Sequence, residues 1–374
     1  MHRPRDGEKG LHDPVNAMTE TRALSPTRED QRAAFLARAG FAEAQLVALP
    51  ADASTRRYFR LSGEGLLLMD SPPHSEPIGP FVQVARHLHG LGLSAPALVQ
   101  VDEEAGLALI EDFGHDTYTR LLAAGHPEAT LYRLAVDALV ALHRVPPAAE
   151  MAPYDARQLS DECALLIDWY IPLLIGKEAA LNLRESFLTL FAKACSDVAQ
   201  RREALVLRDF HVDNLMLLEG REGVAACGLL DFQDALIGAA AYDLMSLLED
   251  ARRDVPEALR VALLTHYLMQ RPELNAPRFL EDYRRLAAQR HAKVLGIFVR
   301  LAGRDGKHGY LAHLPRTLGL FVRALDAEAF APLRDWLNRH VPGWREDLPP
   351  ATLAMLRETP YRLVQGSSHG HVQH

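Results

Sequence analysis

The sequence predicts an α+β protein of two lobes, in which a small antiparallel-sheet lobe with one long helix precedes a larger, mainly helical lobe. Strand-like segments are concentrated in the first third of the chain, whereas from residue 116 onward apolar residues recur mostly at helical spacing. Strands followed by a run of helices are typical of the α+β class. The chain of 374 residues is long enough to form both lobes.

The small lobe is predicted to contain five strands and two helices. A first helix should begin after Thr27, which is a good N-cap residue, and should end at Gly40. The long helix is expected at 81–91, where the apolar residues form one stripe at helical spacing. Strands are expected at 45–49, 58–61, 66–69, 97–101 and 107–111.

The large lobe is predicted to be helical, with short strands only around one central loop. Helices are expected at 131–143, 160–174, 184–199, 240–250, 257–269, 279–301 and 314–325. The resulting domain prediction is a disordered tail at 1–25, a nucleotide-binding lobe with its hinge at 26–114, a catalytic and acceptor-binding lobe at 115–365 and a disordered tail at 366–374.

Bulk composition excludes several classes of function. Hydrophobic residues make up 48% and charged residues 24% of the chain, as in ordinary globular proteins. The net charge of -8 provides no basic surface for nucleic acid, and no apolar run approaches the length of a membrane span. Three scattered cysteines, Cys163, Cys195 and Cys227, lack the spacing of a metal site. We expect a cytoplasmic monomer without a nucleic-acid or membrane partner.

The residues that carry chemistry lie after two apolar runs of the large lobe. Asp209 and Asn214 are five positions apart, and Asp231 follows the second run. Phosphoryl transfer from a nucleotide needs one carboxylate to accept the proton of the attacking hydroxyl, and an amide oxygen and a second carboxylate to hold metal against the phosphates. Asp209 is therefore the candidate base, and Asn214 and Asp231 are the candidate Mg²⁺ ligands.

An Asp and an Asn five positions apart also occur in ordinary loops, because both are common turn residues. Two short strands, expected at 215–218 and 226–230, and the second carboxylate that follows them favour the catalytic interpretation. Asp243, beside Tyr242 at a predicted helix start, is expected to brace this region rather than to react.

These motifs resemble the catalytic region of the aminoglycoside phosphotransferase superfamily, the kinase-like enzymes that phosphorylate hydroxyl groups of small molecules. They are most similar to the branch of anomeric sugar kinases that act on N-acetylmuramate and N-acetylglucosamine in cell-wall recycling. The stretches that carry the resemblance are Arg208-Asp209-Phe210-His211, Asn214-Leu215-Met216, Asp231-Phe232-Gln233-Asp234-Ala235 and Tyr242-Asp243-Leu244. The resemblance covers residues 45 to 320 and implies a bilobal protein-kinase-like fold, ATP and Mg²⁺ as cofactors, and an amino sugar as acceptor.

The resemblance places the nucleotide phosphates at the loop 50–56, between the first two strands. This loop has no glycine, but Ala53, Ser54 and Thr55 are small enough for backbone N–H groups to approach a phosphate. A plain hairpin loop is the alternative, which the spacing alone does not exclude.

The triplet Asp112-Phe113-Gly114 is similar to the metal-binding triplet of protein kinases, but it precedes the catalytic loop by almost 100 residues. In chain order it falls on the connection between the lobes. Glu111 and Phe113 are therefore expected beside the adenine, and the metal is assigned to Asp231 instead.

One departure from the usual kinase pattern concerns the positive charge that grips the phosphates. Kinases usually place a lysine on the third strand, yet this chain has no lysine between Lys9 and Lys177, and Met69 stands near that place. A unit charge near 4 Å is worth about 4 kcal/mol at an effective dielectric constant of roughly 20, so a substitute is expected. The sequence does not choose among the candidates Arg57 and Arg60 on the second strand and Arg56 in the loop, or identify their acidic partner, for which Glu76 is near.

The acceptor pocket is expected in the helical lobe. The candidate contacts are His211, Gln233, Asp234, Trp169, Arg290 and Lys293. Lys293 lies one helical turn beyond Arg290, so both can face one pocket and bind the lactyl carboxylate of N-acetylmuramate. A solvated helix face is the alternative for this pair, and a core aromatic is the alternative for Trp169.

Two other functions stay open at this point. An aminoglycoside or amino-alcohol kinase would need several acids or an aromatic cage around the acceptor, and the Arg290 and Lys293 pair argues against both. A nucleotide-binding pseudokinase is favoured by the missing lysine and glycines, whereas the intact Asp209, Asn214 and Asp231 argue against it.

Overall fold

The structure is a computed structural model and describes residues 27–50, 55–147 and 150–358. The tails predicted at 1–25 and 366–374 lie outside the described residues. Two compact units are distinguished, Met1–Ala44 and Gln45–His374.

In the described part of the first unit, helix α1 (Arg28–Arg38) begins with a capping box. Thr27 Oγ1 accepts a hydrogen bond from the Asp30 backbone N–H, and the Asp30 carboxylate accepts one from the Thr27 backbone N–H. Two N–H groups that a helix start leaves unpaired are thus satisfied. The helix predicted after Thr27 is confirmed.

The second unit begins with an antiparallel sheet of five strands. They are β1 (Leu46–Ala48), β2 (Arg57–Leu61), β3 (Leu66–Asp70), β4 (Leu98–Asp102) and β5 (Leu107–Glu111), in the spatial order β1-β2-β3-β5-β4. Helix α2 (Gly79–Gly90) connects β3 to β4, and its apolar stripe shares a core with Met69 of β3 and Ala108 of β5. All five strands predicted for the small lobe, and its long helix, are confirmed.

Helices dominate the remainder of the unit. They are α3 (Tyr118–Ala123), α4 (Glu128–His143), α5 (Ala156–Leu165), α6 (Pro172–Ile175), α7 (Lys177–Cys195), α8 (Ala241–Leu248), α9 (Glu257–Gln270), α10 (Ala276–Asp305), α11 (Leu314–Ala324), α12 (Ala331–His340) and α13 (Pro350–Glu358). Two short antiparallel pairs accompany them, β6 (Ala204–Val206) with β9 (Leu236–Gly238) and β7 (Leu215–Leu217) with β8 (Cys227–Leu229). The α+β class with a small sheet lobe and a larger helical lobe is confirmed.

Helix α10 is buried along most of its length and packs against α5, α8 and α11. Gly296 permits a close approach in this packing, because a Cβ atom at this position would stand 2.2 Å from the carbonyl oxygen of Leu165. Residues of α10 thereby reach the interior of the lobe, where the catalytic loop is supported.

The helix predicted at 160–174 differs from the structure. Helix α5 begins earlier, where the Asp155 side chain accepts a hydrogen bond from the Gln158 N–H, and a π-helical turn at Leu166–Tyr170 separates it from α6. Pro172 lacks the N–H needed to continue the hydrogen-bond ladder and therefore starts a new helix. The sequence prediction was wrong here because continuous helical periodicity does not reveal a π turn.

The described residues include no helix that is both long and apolar enough to cross a membrane. All three cysteines are buried and free.

Candidate active site

The loop 207–214, which carries Asp209 and is called the catalytic loop, follows β6 and is hydrogen-bonded to the first turn of α8. The backbone N–H groups of Leu207 and Arg208 donate to the two carboxylate oxygens of Asp243 at 2.6 and 2.9 Å. Arg208 has a φ of 71°, a left-handed conformation that is rare for residues with a side chain and is typical of functional sites. The bracing role predicted for Asp243 agrees with these bonds.

Asp209 projects from this loop with 36% of its side chain exposed. Arg290 Nη2 lies 3.6 Å from Asp209 Oδ1. Burial is the largest single influence and raises the pKa of Asp209, but the surrounding positive charges, led by Lys293 and Arg290, together outweigh it, so the pKa lies below its ordinary value. At neutral pH Asp209 is therefore an accessible carboxylate that can accept a proton.

A 3₁₀ turn at Val212–Asn214 and the β7–β8 hairpin bring Asn214 and Asp231 to Asp209. Asn214 Nδ2 donates to the backbone carbonyl of Asp209 at 2.9 Å and to Asp231 Oδ2 at 3.3 Å. Asp231 has a φ of 56°, and its Oδ1 accepts a hydrogen bond from Gln233 Nε2 at 2.7 Å. The three residues predicted from their spacing thus lie together.

The side-chain oxygen atoms of Asn214 and Asp231 are suitable ligands for Mg²⁺. The bond from Nδ2 to the Asp209 carbonyl orients the Asn214 amide, since only its NH₂ end donates, and the amide oxygen is left as a hard ligand. Among the described residues no group of three or more His, Cys, Asp and Glu side chains is placed to hold a metal. Mg²⁺ usually binds one or two protein oxygens together with substrate phosphates, so the pair Asn214 and Asp231 is sufficient.

The small lobe contacts the metal-site segment through aromatic packing. Phe81 of α2 stacks on Phe232, with ring centroids 5.1 Å apart and planes inclined by 16°. Both rings are buried.

The predicted phosphate-binding residues are only partly described. Ala53 and Ser54 lie outside the described residues. The Thr55 N–H donates to Glu76 Oε1 at 2.9 Å. Arg57 at the start of β2 is exposed.

Arg60, another arginine predicted to meet the phosphates, points to the lobe connection. Its guanidinium forms a bidentate ion pair with Asp112 and lies 2.8 Å from His115 Nε2. Its charge is thus engaged at the hinge end of β2.

At the connection, Glu111 forms an ion pair with Arg221 of the large lobe. Phe113 packs on the β7–β8 hairpin, because a Cβ atom at Gly228 would stand 3.0 Å from its ring. The Phe113 ring also lies 5.4 Å from the Arg221 guanidinium. These contacts join the hinge to the hairpin that carries Asp231, and the predicted adenine contact of Glu111 and Phe113 stays a prediction.

The two cations predicted for the acceptor have partners inside the protein. Lys293 Nζ lies 3.0 Å from Glu162 Oε1, and Arg208 contacts the same carboxylate. Burial would raise the pKa of Glu162, but Lys293 and Arg208 lower it to about 2. Arg290 Nη1 donates to the Arg208 carbonyl at 2.9 Å. Their predicted contact with the acceptor stays a prediction, and the structure shows that both cations also support the loop that carries Asp209.

The other predicted acceptor residues occupy different environments. His211 is buried, and its Nε2 lies 3.4 Å from Asn214 Nδ2. Burial and then the charge of Arg252 lower the pKa of His211 to about 4. Gln233 contacts Asp231, and the exposed Asp234 supplies its carbonyl to Arg208. The remaining candidate, Trp169, lies in the π-helical turn and packs on the core.

Sequence reasoning missed a polar cluster after α8. Arg252 Nε lies 3.4 Å from Asp213 Oδ2, and its guanidinium lies 5.7 Å from the Phe298 ring of α10. The buried Asp250 accepts a hydrogen bond from the Arg252 N–H at 2.9 Å. The members come from separate segments, so no local pattern could have identified them.

Comparisons with known proteins identify the family of this chain. A model described as "Phosphotransferase enzyme family" matches residues 45–288. The N-acetylmuramate/N-acetylglucosamine kinase of Caulobacter vibrioides is 36% identical over 85% of this chain and 98% of the relative. The kinase of the same name from Pseudomonas aeruginosa is 37% identical over 76% of this chain and 83% of the relative.

Solved structures show the same fold at low identity. Aminoglycoside 2'-phosphotransferase-IIIa in its GDP complex has a TM-score of 0.55 at 14% identity, covering 80% of this chain and 98% of that one. The choline kinase LicA of Streptococcus pneumoniae has a TM-score of 0.55 at 12% identity, covering 78% and 99%. The chain belongs to the phosphotransferase enzyme family. It is an ATP-dependent kinase.

Proposed function

We propose that this kinase transfers the γ-phosphoryl group of ATP to the anomeric (C1) hydroxyl of N-acetylmuramate and N-acetylglucosamine, in cell-wall sugar recycling. The observation that carries the proposal is the open carboxylate of Asp209 beside Asn214 and Asp231, in a chain 31% to 37% identical to relatives named as kinases of these sugars. The domain assignment is part of the proposal, with the nucleotide in the lobe 26–114 and the acceptor in the lobe 115–365.

Asp209 acts as the base in this reaction. The C1 hydroxyl gives its proton to the Asp209 carboxylate as its oxygen forms a bond to the γ-phosphorus, and the bond from that phosphorus to the β-phosphate oxygen breaks to release ADP. General base catalysis contributes typically 10²- to 10⁴-fold to the rate. Arg290 and Lys293 keep the base ionised, since their charges lower its pKa.

Asn214 and Asp231 would hold Mg²⁺, which neutralises phosphate charge when it is bound. Gln233 orients the Asp231 carboxylate through its hydrogen bond to Oδ1.

The acceptor is proposed to lie between the catalytic loop and the cluster after α8. Two buried polar atoms there, His211 Nδ1 and Asp250 Oδ2, have no hydrogen-bond partner within the described residues. An unsatisfied buried polar atom costs about 1–3 kcal/mol, so sugar hydroxyls or water are expected to satisfy both. Arg252, of which 28% of the side chain is exposed, is the cation proposed for the lactyl carboxylate of N-acetylmuramate.

The test is ADP release from ATP and Mg²⁺ with four acceptors: N-acetylmuramate, N-acetylglucosamine, kanamycin and choline. Turnover is expected with the two sugars, and it should fall by about 10²-fold or more in Asp209→Asn. Methylation of the anomeric oxygen of each sugar should abolish it.

Turnover of the methylated sugars would move the reaction to another hydroxyl. Turnover confined to kanamycin or choline would assign a different acceptor class. Binding of ATP without turnover of any of the four would favour a nucleotide-binding pseudokinase over this proposal.

A further inference from the structure

A half-buried histidine lies at the edge of the proposed acceptor site. His313 is the last residue of the 3₁₀ turn His308–His313, directly before α11. Its ring nitrogens form no hydrogen bond with any residue that the structure describes. Polar groups that are withdrawn from water are normally hydrogen-bonded, so an imidazole in this setting is available to a ligand.

The position of His313 is fixed by its neighbours. Its backbone carbonyl accepts a hydrogen bond from Thr317 Oγ1 at 2.8 Å. Its ring centroid lies 5.7 Å from that of Phe298, which is fully buried in α10. Tyr310, one turn earlier, stacks on the same ring at 5.3 Å. The turn therefore presents the imidazole from a rigid support.

The ring of Phe298 also connects His313 to the cluster after α8. The guanidinium of Arg252 lies 5.7 Å from the Phe298 ring, and its Nε lies 3.4 Å from Asp213 Oδ2 in the catalytic loop. The charges of Arg252, Asp250 and Asp213 all act on the pKa of His313, as expected of close neighbours. His313 and Arg252 thus border the same space beside the catalytic loop.

His313 and Arg252 offer different chemistry to a ligand. Burial lowers the pKa of His313, and Arg252 lowers it further, whereas Asp250 and Asp213 raise it without restoring the ordinary value. The imidazole is therefore neutral at pH 7 and has one N–H donor. It suits an uncharged acceptor such as an amide oxygen, while the guanidinium suits an anion.

The order of substituents on the sugar ring matches the order of these side chains. The reacting hydroxyl is on C1, the acetamide is on C2, and the lactyl carboxylate of N-acetylmuramate is on C3. Asp209 is proposed to meet the first of these and Arg252 the third, so the acetamide is expected near both. His313 lies beside Arg252 and beside Asp213, which follows Asp209 in the same loop.

We propose that His313 is the residue that selects the N-acetyl group, by donating a hydrogen bond from its imidazole to the acetamide carbonyl oxygen of both sugars. The acetamide is common to N-acetylmuramate and N-acetylglucosamine and is absent from glucose. The inference rests on the proposed function, because it assigns a subsite for the same two acceptors.

The test is steady-state kinetics of the full chain with ATP and Mg²⁺. His313→Phe keeps an aromatic ring against Phe298 but removes the N–H donor. The KM of N-acetylglucosamine and that of N-acetylmuramate should both rise about tenfold. The kcat and the KM of ATP should stay within about twofold, because the lost contact is made equally in the ground state and the transition state.

Glucose measures the same contact without the acetamide. Its inhibition constant against N-acetylglucosamine reports its affinity whether or not it is phosphorylated, and this constant should stay within about twofold in His313→Phe. His313→Gln retains an N–H donor and should raise the KM of the two N-acetyl sugars less than His313→Phe does. His340→Phe, at an exposed histidine at the end of α12, is the control and should change none of these constants.

An unchanged KM for both N-acetyl sugars in His313→Phe would overturn the assignment. A rise confined to N-acetylmuramate would place His313 at the carboxylate instead, and an equal rise in the inhibition constant of glucose would show that His313 shapes the pocket without binding the acetamide. Wild-type turnover is measured first, and its absence with both N-acetyl sugars would overturn the proposed function together with this assignment. Turnover by wild type followed by any of the other three results would overturn the assignment alone.

Discussion

The ring of Phe81 in α2 stacks on the ring of Phe232, the residue that follows Asp231, at a centroid distance of 5.1 Å. Phe232 is fully buried, whereas Asp231 is exposed in a left-handed backbone conformation. A buried anchor next to a strained, exposed carboxylate couples the position of the proposed metal ligand to that of the small-lobe helix.

Loss of this stack should affect catalysis more than stability. Phe81→Leu is expected to lower the free energy of unfolding by about 1 kcal/mol and to lower kcat several-fold, because Asp231 loses its anchor. Phe187→Leu, at a buried ring that packs at a tilt against Phe191 in the large lobe, should cost similar stability without changing kcat. Urea unfolding measures the stability of the two variants, and steady-state kinetics measures their kcat. An equal fall in kcat in Phe81→Leu and Phe187→Leu would contradict the coupling.

The shared carboxylate of Glu162 should be more important for stability than either of its cations. Glu162→Gln removes the buried carboxylate that both Lys293 and Arg208 contact, so a loss of about 3–5 kcal/mol in the free energy of unfolding is expected. Lys293→Met should cost less, because a one-to-one pair remains. Glu185→Gln, at an exposed position, serves as control in urea titrations. A larger loss in Lys293→Met than in Glu162→Gln would refute this ordering.

Arg290 should set the acid limb of the pH–rate profile. Its removal takes a positive charge from beside Asp209, so the pKa of Asp209 rises and the base becomes protonated at higher pH. The acid limb of kcat/KM is expected to move upward by roughly one pH unit in Arg290→Gln. Arg290→Lys keeps the charge and should show a smaller shift. Superimposable pH–rate profiles for wild type and Arg290→Gln would show that Arg290 does not set the acid limb.

Buried histidines should make the fold sensitive to acid. Burial lowers the pKa of His143 from 6.5 to about 3, and that of His291 likewise to about 3. Between these values the unfolded chain binds more protons than the folded chain, so stability falls as the pH decreases through this window.

Each such histidine contributes up to about 1.4 kcal/mol per pH unit to that slope. His143→Gln should therefore flatten the dependence of the free energy of unfolding on pH between 6.5 and 3, measured by urea titration at several pH values. His126→Gln, at an exposed position, is the control. A slope unchanged by His143→Gln would show that His143 does not titrate as inferred.

Arg252 should distinguish the two sugars. Because N-acetylmuramate carries a carboxylate that N-acetylglucosamine lacks, Arg252→Met is expected to lower kcat/KM about tenfold or more for the first sugar only. Arg253→Met is the control, because the neighbouring Arg253 pairs with Glu128 and is not proposed to contact the sugar. Equal losses for both sugars would place the carboxylate elsewhere, and Arg290→Gln and Lys293→Met assayed alongside test the two cations predicted from the sequence.

Much of the fold was predictable because its determinants are local. Thr27 caps the first helix through residues three positions away, and the apolar stripe of α2 repeats within twelve residues. Asp209 and Asn214 were identified for the same reason, since both lie in one loop. The β9 strand was missed because three residues, one of them Gly238, form a strand only through pairing with β6.

Side-chain partners far apart in sequence could not be predicted. Lys293 and Glu162 are 131 positions apart, and no periodicity relates them. The sequence placed Lys293 and Arg290 on one helix face, and the tertiary structure buries that face behind the catalytic loop.

By itself the sequence predicted the two-lobed α+β fold, identified Asp209, Asn214 and Asp231 as the candidate site residues, and showed that no lysine stands where kinases usually place one. All three follow from which residue types stand at which short spacings. The tertiary structure alone decided that Arg56 is the arginine beside Glu76 and which cations support Asp209. Those outcomes depend on where separate elements pack, because burial and charge pairing act through space and leave no signal in the local order of residues.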